Sequence, residues 1–204
     1  MDKRIIITIG RQFGSGGKSV ASEIGELLGI PVYDQELLKS AAAKSGLSPE
    51  FLKASDERRH LFGLGGILDL GRFWHNSGNL VDDNELFRIQ SEAIRDLAQK
   101  GSAIFVGRAS DYVLRDMDTL DVFIHSPLDV RKQRVAARLG ISNEEAATLI
   151  ARKDKTRKDY YDLFTFGDNW GVASNYDLCI DSSILGIEGT AEQIIRFGRE
   201  SGKI

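Results

Sequence analysis

A cluster of glycines follows the first apolar run of the chain. Residues 10–19 read GRQFGSGGKS, directly after the run IIITI at residues 5–9. Glycine is costly in conformational entropy, so such a cluster indicates a backbone that bends unusually or approaches another group closely. The main-chain N–H groups of a glycine-rich loop and of the helix that follows it can surround an anion. This segment, called the glycine loop below, is therefore either a plain turn or a cradle for phosphate.

The end of the glycine loop favours phosphate. Phosphate-binding loops read G-x-x-x-x-G-K-[ST], and the last three positions are present here, although Gln12 stands where the first glycine is expected. A lysine adds positive charge, and a serine hydroxyl can reach Mg²⁺. We expect the lysine to be catalytic and the serine to be the metal ligand. The residues expected to bind the phosphates of ATP are Gly14, Ser15, Gly16, Gly17, Lys18 and Ser19.

A second set of candidate residues is basic. Arg108 follows the third predicted strand, at the edge where open α/β sheets bind ligands. Arg131 and Arg134 lie about one turn apart on a predicted helix, and residues 131–159 contain nine Lys or Arg against four Asp or Glu. A solvated basic helix face would explain this excess. Together with the glycine loop, it instead predicts a lid over residues 128–161, whose arginines act catalytically by neutralising charge on a transferred phosphoryl group.

Apolar runs alternate with amphipathic stretches along the chain. The runs predict five strands, and the stretches between them predict helices, one opened by a capping box at Ser142 and the last beginning at Thr190. This alternation predicts an α/β fold with a parallel sheet. With the glycine loop, it predicts a three-layer sandwich of the P-loop NTPase type, with a five-stranded parallel sheet and a helical lid. The predicted strands span residues 5–9, 30–34, 103–107, 121–125 and 177–181.

Composition narrows the class of protein. The 204 residues are 42% hydrophobic and 28% charged, as expected for one globular domain covering residues 1–204. The formal charge of −3 gives no reason to expect nucleic acid or an anionic membrane as a partner. A single cysteine, Cys179, cannot form an internal disulfide, and no apolar stretch is long enough to span a bilayer. We therefore expect a cytoplasmic protein.

Six stretches, in this order over residues 11–188, carry a resemblance to a known family: RQFGSGGKSVA, IPVYDQELL, FVGRASDYVL, DVFIHSPLDVRKQRV, DKTRKDYY and YDLCIDSSILGIE. The whole chain resembles the cytidylate kinase-like branch of the P-loop nucleoside monophosphate kinases. The resemblance implies transfer of the γ-phosphoryl group of ATP, with Mg²⁺, to a small-molecule acceptor that is a nucleoside monophosphate. It also identifies Arg131 and Arg134 with the lid arginines of the family.

The resemblance also implies an acceptor site. Arg108 corresponds to the arginine that grips the acceptor phosphate, although Ala109 replaces the aspartate that follows it in bacterial cytidylate kinases. Asp154 and Arg157 are similar to the ends of a D-S-x-R motif that contacts the acceptor sugar and phosphate. Asp34 resembles an aspartate near the acceptor. Residues 48–84, predicted to be an acceptor-side helical excursion, show no traceable match to the base contacts of the family.

Several alternatives stay open from the sequence. A P-loop kinase of another small metabolite would use a hydroxyl acceptor, for which Asp34 is the plausible base. A nucleotide-binding regulatory module without turnover would fit the incomplete P-loop pattern. Asp34 is also a candidate helix N-cap, and Asp154 a candidate partner of Arg157 or Lys158 along one helix. Homo-oligomerisation also stays open.

Overall fold

A five-stranded parallel sheet forms the centre of the protein. The computed structural model describes residues 4–34, 80–167 and 169–204. Its strands are β1 (Ile6–Arg11), β2 (Val32–Tyr33), β3 (Ala103–Val106), β4 (Leu120–His125) and β5 (Leu178–Asp181). All neighbouring pairs are parallel, in the order β2-β3-β1-β4-β5. The predicted α/β class and five-stranded parallel sheet are confirmed.

Helices connect the strands, as parallel pairing requires. In chain order, those of the described residues are α1 (Gly17–Leu28), α2 (Leu80–Lys100), α3 (Ser110–Val113), α4 (Leu128–Leu139), α5 (Asn143–Phe164) and α6 (Ser182–Glu200), with a 3₁₀ turn at Ala173–Asn175.

The helices cover both faces of the sheet and make three layers. Side chains alternate along a strand, so neighbouring residues of β1 belong to different cores. Ile7 packs with Ile24 of α1 and Ile194 of α6. Ile6 packs on the other side with Ile94 of α2. Because β1 is central and buried on both faces, the glycine loop starts from a strand that is held firmly in the core.

β1 ends later than the sequence predicts. The strand continues through Arg11, which pairs with Ile124 of β4, so two residues of the glycine loop belong to the sheet. The predicted strand end at Ile9 is therefore wrong, because glycine was taken as a loop signal where it is tolerated inside a strand. As a consequence, the backbone position of Arg11 is held by sheet hydrogen bonds.

The last helix begins earlier than the predicted start at Thr190. α6 starts at Ser182, where the Asp181 side chain caps it by accepting from the Ser183 N–H at 2.8 Å. Gly186 has φ of 70° and interrupts the helical backbone. Gly186 therefore divides Ser182–Glu200 into two helical segments, and the predicted start at Thr190 lies in the second of them, a few residues after the glycine.

α4 and α5 form a helical hairpin over the predicted lid range. The capping box at the start of α5 is confirmed, with Ser142 Oγ accepting from the Glu145 N–H at 3.1 Å. Val135 and Ile150 pack between the two helices, and Phe13 of the glycine loop packs against them. The hairpin therefore contacts the glycine loop directly.

Most of the predicted acceptor-side excursion at residues 48–84 lies outside the described residues, which resume at Leu80. Among the helices that are described, none combines the length and the apolar character needed to cross a bilayer.

Candidate functional site

The glycine loop presents the open end of α1. Gly14 and Gly16 have φ of 82° and 79°, a conformation that residues with a side chain rarely adopt, and Gly16 is the N-cap of α1 without any side-chain cap. The first helical hydrogen bond runs from the Val20 N–H to the Gly16 carbonyl at 3.0 Å. The N–H groups of residues 16–19 therefore have no acceptor inside the helix and, with the helix dipole, suit an anion.

The last two residues of the glycine loop carry exposed polar groups. Lys18 Nζ lies 2.7 Å from Asp34 Oδ2, and the lysine side chain is 74% exposed. Ser19 is exposed on the next position of the same turn. Asp34 directly follows β2, and the sheet brings it to the loop that follows β1. Whether Asp34 also caps a helix depends on residues from 35 onward, which are outside the described residues.

One arginine of α4 is bonded to the glycine loop through a carboxylate. Arg131 is 8% exposed, and its Nη1 donates to Asp154 Oδ2 at 2.6 Å. The other oxygen of Asp154 accepts from the Phe13 N–H at 2.6 Å. Arg131 Nε donates to the Ser126 carbonyl at 3.0 Å. Asp154 thus pairs across the hairpin with α4, while the partner expected along its own helix was Arg157 or Lys158.

A second arginine of α4, Arg134, reaches the loop backbone. Arg134 Nη1 donates to the Ser15 carbonyl at 3.1 Å and to Ser182 Oγ at 3.0 Å. The buried Ser182 hydroxyl also donates to the Ser15 carbonyl, and its oxygen lies 2.9 Å from Ser126 Oγ. We call the residues that make these contacts the loop brace: Ser126, Arg131, Arg134, Asp154 and Ser182.

Three other arginines converge where β1 and β3 end. Arg157 Nη1 donates to the Arg11 carbonyl at 2.8 Å, and its guanidinium carbon lies 5.5 Å from the centre of the Phe13 ring. The pKa of Arg157 is lowered to about 10, chiefly by burial; Asp154 opposes the shift, and Arg108 is among the cations that contribute to it. We call Arg11, Arg108 and Arg157 the arginine cluster.

The backbone that carries Arg108 is strained. Gly107, Arg108 and Ala109 have φ of 75°, 61° and 50° in succession. Two residues with side chains in this region cost roughly 1–3 kcal/mol each, and such strain concentrates at functional sites. The Arg108 guanidinium carbon lies 5.1 Å from the centre of the Tyr160 ring, which supports its position at the sheet edge.

Some residues of the site were not predicted from the sequence. Ser126 and Ser182 directly follow β4 and β5, and their position at the carboxyl ends of the strands is a signal that could have found them. Asp111, three residues after Arg108, accepts from the Tyr161 hydroxyl at 2.6 Å. Burial is the main cause that raises the pKa of Asp111 to about 6. The sequence predicts Arg11 as a loop residue, whereas the structure places it at the end of β1.

Comparison with known proteins places this arrangement in a family. The cytidylate kinase-like family matches residues 6–184. A protein of Pyrococcus horikoshii named cytidylate kinase is 30% identical over 189 residues, which cover 91% of this chain and 84% of the relative.

Solved structures agree in fold. A protein of Eubacterium ventriosum, described as uncharacterized, is 29% identical with a TM-score of 0.71, over 97% of this chain and 99% of that one. The shikimate kinase of Acinetobacter baumannii, solved with shikimate, is 12% identical with a TM-score of 0.53 over 98% and 96%, a likeness that concerns the fold alone. With the family match extending from β1 to the start of α6, the chain belongs to the cytidylate kinase-like family.

Proposed function

We propose that the protein is an ATP-dependent phosphotransferase that moves the γ-phosphoryl group to a nucleoside monophosphate. The observation that carries the proposal is the meeting of two anion sites at one sheet edge: the open helix N-terminus of the glycine loop and the arginine cluster. A donor triphosphate and an acceptor phosphate need two such sites side by side. The name of the relative from Pyrococcus horikoshii, cytidylate kinase, supports the same acceptor class.

The donor site consists of the glycine loop. The N–H groups of residues 16–19 bind the triphosphate, Gly14 and Ser15 form the bend that precedes them, and Lys18 balances the charge once it turns from Asp34 toward the ligand. Ser19 fits a Mg²⁺ ion, because its exposed hydroxyl supplies one oxygen and this ion keeps several waters and phosphate oxygens as its other ligands. Mg²⁺, when bound, would neutralise charge on the β- and γ-oxygens.

The acceptor site consists of Arg108 and Arg157, with Asp34 at its rim. Their guanidinium groups hold the acceptor phosphate in line with the donor. A nucleoside monophosphate is largely ionised near neutral pH, so no strong general base is needed. Catalysis then consists of positioning and charge neutralisation.

The lid residues act on the donor loop. Arg131 and Arg134 add positive charge beside the glycine loop, and their bonds to Asp154 and the Ser15 carbonyl hold its backbone in shape. Asp154, identified through the family with an acceptor contact, has both oxygens engaged in the brace, so we propose a positioning role for it. The α4–α5 hairpin would exclude water that otherwise hydrolyses ATP.

One observation favours a second candidate, a kinase with a hydroxyl acceptor. The Asp34 carboxylate lies beside Lys18, where it could take a proton from a hydroxyl group. In that case the acceptor would be another small metabolite, and Asp34→Asn would remove turnover, not merely weaken acceptor binding.

The test is an acceptor panel. Purified protein is incubated with Mg-ATP and, separately, with CMP, UMP, AMP, GMP, their deoxy forms, and a set of phosphate-free hydroxylated metabolites, while ADP release is followed. We expect ADP release that depends on a nucleoside monophosphate and is lost in Arg108→Met. Arg196→Met, an exposed arginine paired with Glu200 on α6, is the matched control and should behave as wild type.

Two results would contradict the proposal. ATP binding without ADP release for any acceptor would support a regulatory module. Turnover only with a metabolite that lacks phosphate would support the hydroxyl kinase. A cytoplasmic location and the oligomeric state stay predictions, tested by fractionation and by light scattering.

A further inference from the structure

Arg11 crosses from the donor loop to the ligand end of β3. A Cβ added at Gly17 would lie 2.7 Å from Arg11 Cβ and 3.0 Å from its Cγ, so the arginine stem runs across the first turn of α1. A Cβ added at Gly107 would lie 1.9 Å from Arg11 Nη1. The guanidinium group therefore lies against Gly107, next to the backbone of Arg108. Two glycines leave the space that this side chain occupies.

The charges around this guanidinium are unfavourable for a purely structural arginine. The pKa of Arg11 is lowered to about 9, chiefly by burial and also by the charges of Arg157 and Arg108, while Asp34 opposes the shift. Across residues 4–34, 80–167 and 169–204, no described carboxylate forms an ion pair with Arg11, and its guanidinium donates no hydrogen bond to the protein. Within the described residues, its five N–H donors therefore have no protein acceptor, and two more cations lie close to them.

The arginines of the loop brace show what a structural arginine looks like in the same protein. Arg131 uses Nε and Nη1 on a carbonyl and a carboxylate, and Arg134 bonds the backbone of two segments. Within the described residues, Arg11 has neither kind of partner, although its backbone is held in the sheet. Three gathered guanidinium groups become favourable when a multiply charged oxyanion lies between them, because each can donate two hydrogen bonds to it.

We infer that Arg11 is a third ligand of the acceptor phosphate, which it holds together with Arg108 and Arg157. The inference rests on the proposed function and adds to it a residue from the donor loop itself. Because Arg11 begins at the end of β1 and ends beside Gly107, it ties the position of the acceptor phosphate to that of the loop that holds the donor. This coupling would fix the distance between the two reacting phosphates.

The inference predicts opposite effects on binding and on stability. Arg11→Met keeps most of the stem that packs over Gly17 and removes the charge. The free protein should become more stable, because the mutual repulsion of the cluster falls, so its melting temperature should rise. The KM for the acceptor should increase about 10- to 100-fold, the usual effect of losing hydrogen bonds to a charged group. The KM for ATP should stay within about twofold of wild type. The KM of Arg11→Lys for the acceptor should lie between those of wild type and Arg11→Met, since an ammonium keeps the charge without the planar fork.

The experiment measures both KM values, kcat and the melting temperature for wild type, Arg11→Met, Arg11→Lys and the control Arg196→Met. A lower melting temperature for Arg11→Met, with both KM values equally affected, would assign Arg11 a structural role and overturn the inference. An increase confined to the KM for ATP would assign it to the donor phosphates and overturn it as well. An unchanged KM for the acceptor would do the same.

A second measurement separates this inference from the proposed function. Inorganic phosphate is titrated into the proteins in the presence of a saturating nonhydrolysable ATP analogue, so that the glycine loop is occupied, and the further rise in melting temperature reports phosphate binding at the arginine cluster without any turnover. Wild type and Arg196→Met should be stabilised by phosphate, and Arg11→Met should respond at least about tenfold more weakly in phosphate concentration. If wild type turns over nucleotides but Arg11→Met responds to phosphate as wild type does, only the inference fails. If no acceptor gives ADP but the phosphate response depends on Arg11, only the proposed function fails.

Discussion

The loop brace and the arginine cluster lie on two sides of the same glycine loop and use arginine in opposite ways. In the brace, Arg131 and Arg134 donate hydrogen bonds to a carboxylate, a hydroxyl and carbonyl groups of the protein. In the cluster, Arg11 and Arg108 have no hydrogen-bonded carboxylate among the described residues. The comparison teaches that position near a phosphate loop does not define a role. The partners of the guanidinium groups distinguish Arg131 and Arg134, which hold the loop, from Arg11 and Arg108, which we propose face the ligand. Arg157 combines the two features, since it also donates to the Arg11 carbonyl.

The largest expected effect comes from Lys18, the lysine that we propose binds the donor phosphates. Lys18→Ala should lower kcat by at least about 100-fold, because a charge that stabilises the transferred phosphoryl group is lost. Stability should change by less than about 1 kcal/mol, since the pair with Asp34 is exposed on the lysine side. Steady-state ADP release and urea unfolding measure the two effects. Lys155→Ala, an exposed lysine on α5, is the control, and wild-type transfer by Lys18→Ala would refute the donor site.

A substitution in the loop brace should affect stability more than turnover, which is the reverse of the expectation for Lys18. Asp154→Ala leaves the buried Arg131 guanidinium without its carboxylate and the Phe13 N–H without its acceptor. The free energy of unfolding should fall by about 3 kcal/mol, the usual cost of breaking a buried pair from one side. Asp159→Ala, which removes an exposed partner on the same helix, should cost about 0.5 kcal/mol. Urea unfolding of both variants tests this, and equal stabilities would remove the distinction between brace and cluster.

A smaller effect concerns Asp111, which lies three residues after Arg108. Asp111 bonds the Tyr161 hydroxyl, and the pKa of Asp111 is raised to about 6, above the value of about 3.9 in an unfolded chain. The folded state therefore binds more protons between these values, so this group makes stability fall as pH rises from about 4 to 6. Asp111→Asn should remove up to about 2 kcal/mol of that fall.

Stability curves at pH 4, 5, 6 and 7 measure this slope. Asp116→Asn, an exposed neighbour, should leave the wild-type slope unchanged. A slope that Asp111→Asn does not alter would show that the folded protein leaves this carboxyl as acidic as the unfolded chain does.

Features that depend on neighbouring residues were predictable from the sequence. The buried run of β1, the glycines before α1 and the capping box at Ser142 each follow from a few adjacent side chains. The family match then confirmed the class that these features indicated. Contacts between distant segments gave no local signal. Ser182 meets Ser15 across 167 positions, and Asp154 meets Phe13 across 141, because the sheet order and the hairpin packing decide those pairs.

Arg11 shows the same limit within a short segment. Glycine at position 10 indicated a loop, yet hydrogen bonds to β4 continue the strand through Arg11. The absence of a side chain at Gly17 and Gly107 has a reason only once the path of the Arg11 side chain is known. No periodicity or spacing in the sequence encodes that path, so the third arginine of the cluster emerges from the fold.

The central claim is that the glycine loop binds the donor and the arginine cluster binds the acceptor phosphate. The most direct measurement is a crystal structure with Mg²⁺, a nonhydrolysable ATP analogue and the nucleoside monophosphate that gives the fastest ADP release. We predict the triphosphate on the N–H groups of residues 16–19 and the acceptor phosphate within hydrogen-bonding distance of Arg11, Arg108 and Arg157. A triphosphate bound away from the start of α1, or an acceptor phosphate that none of the three arginines touches, would contradict the account.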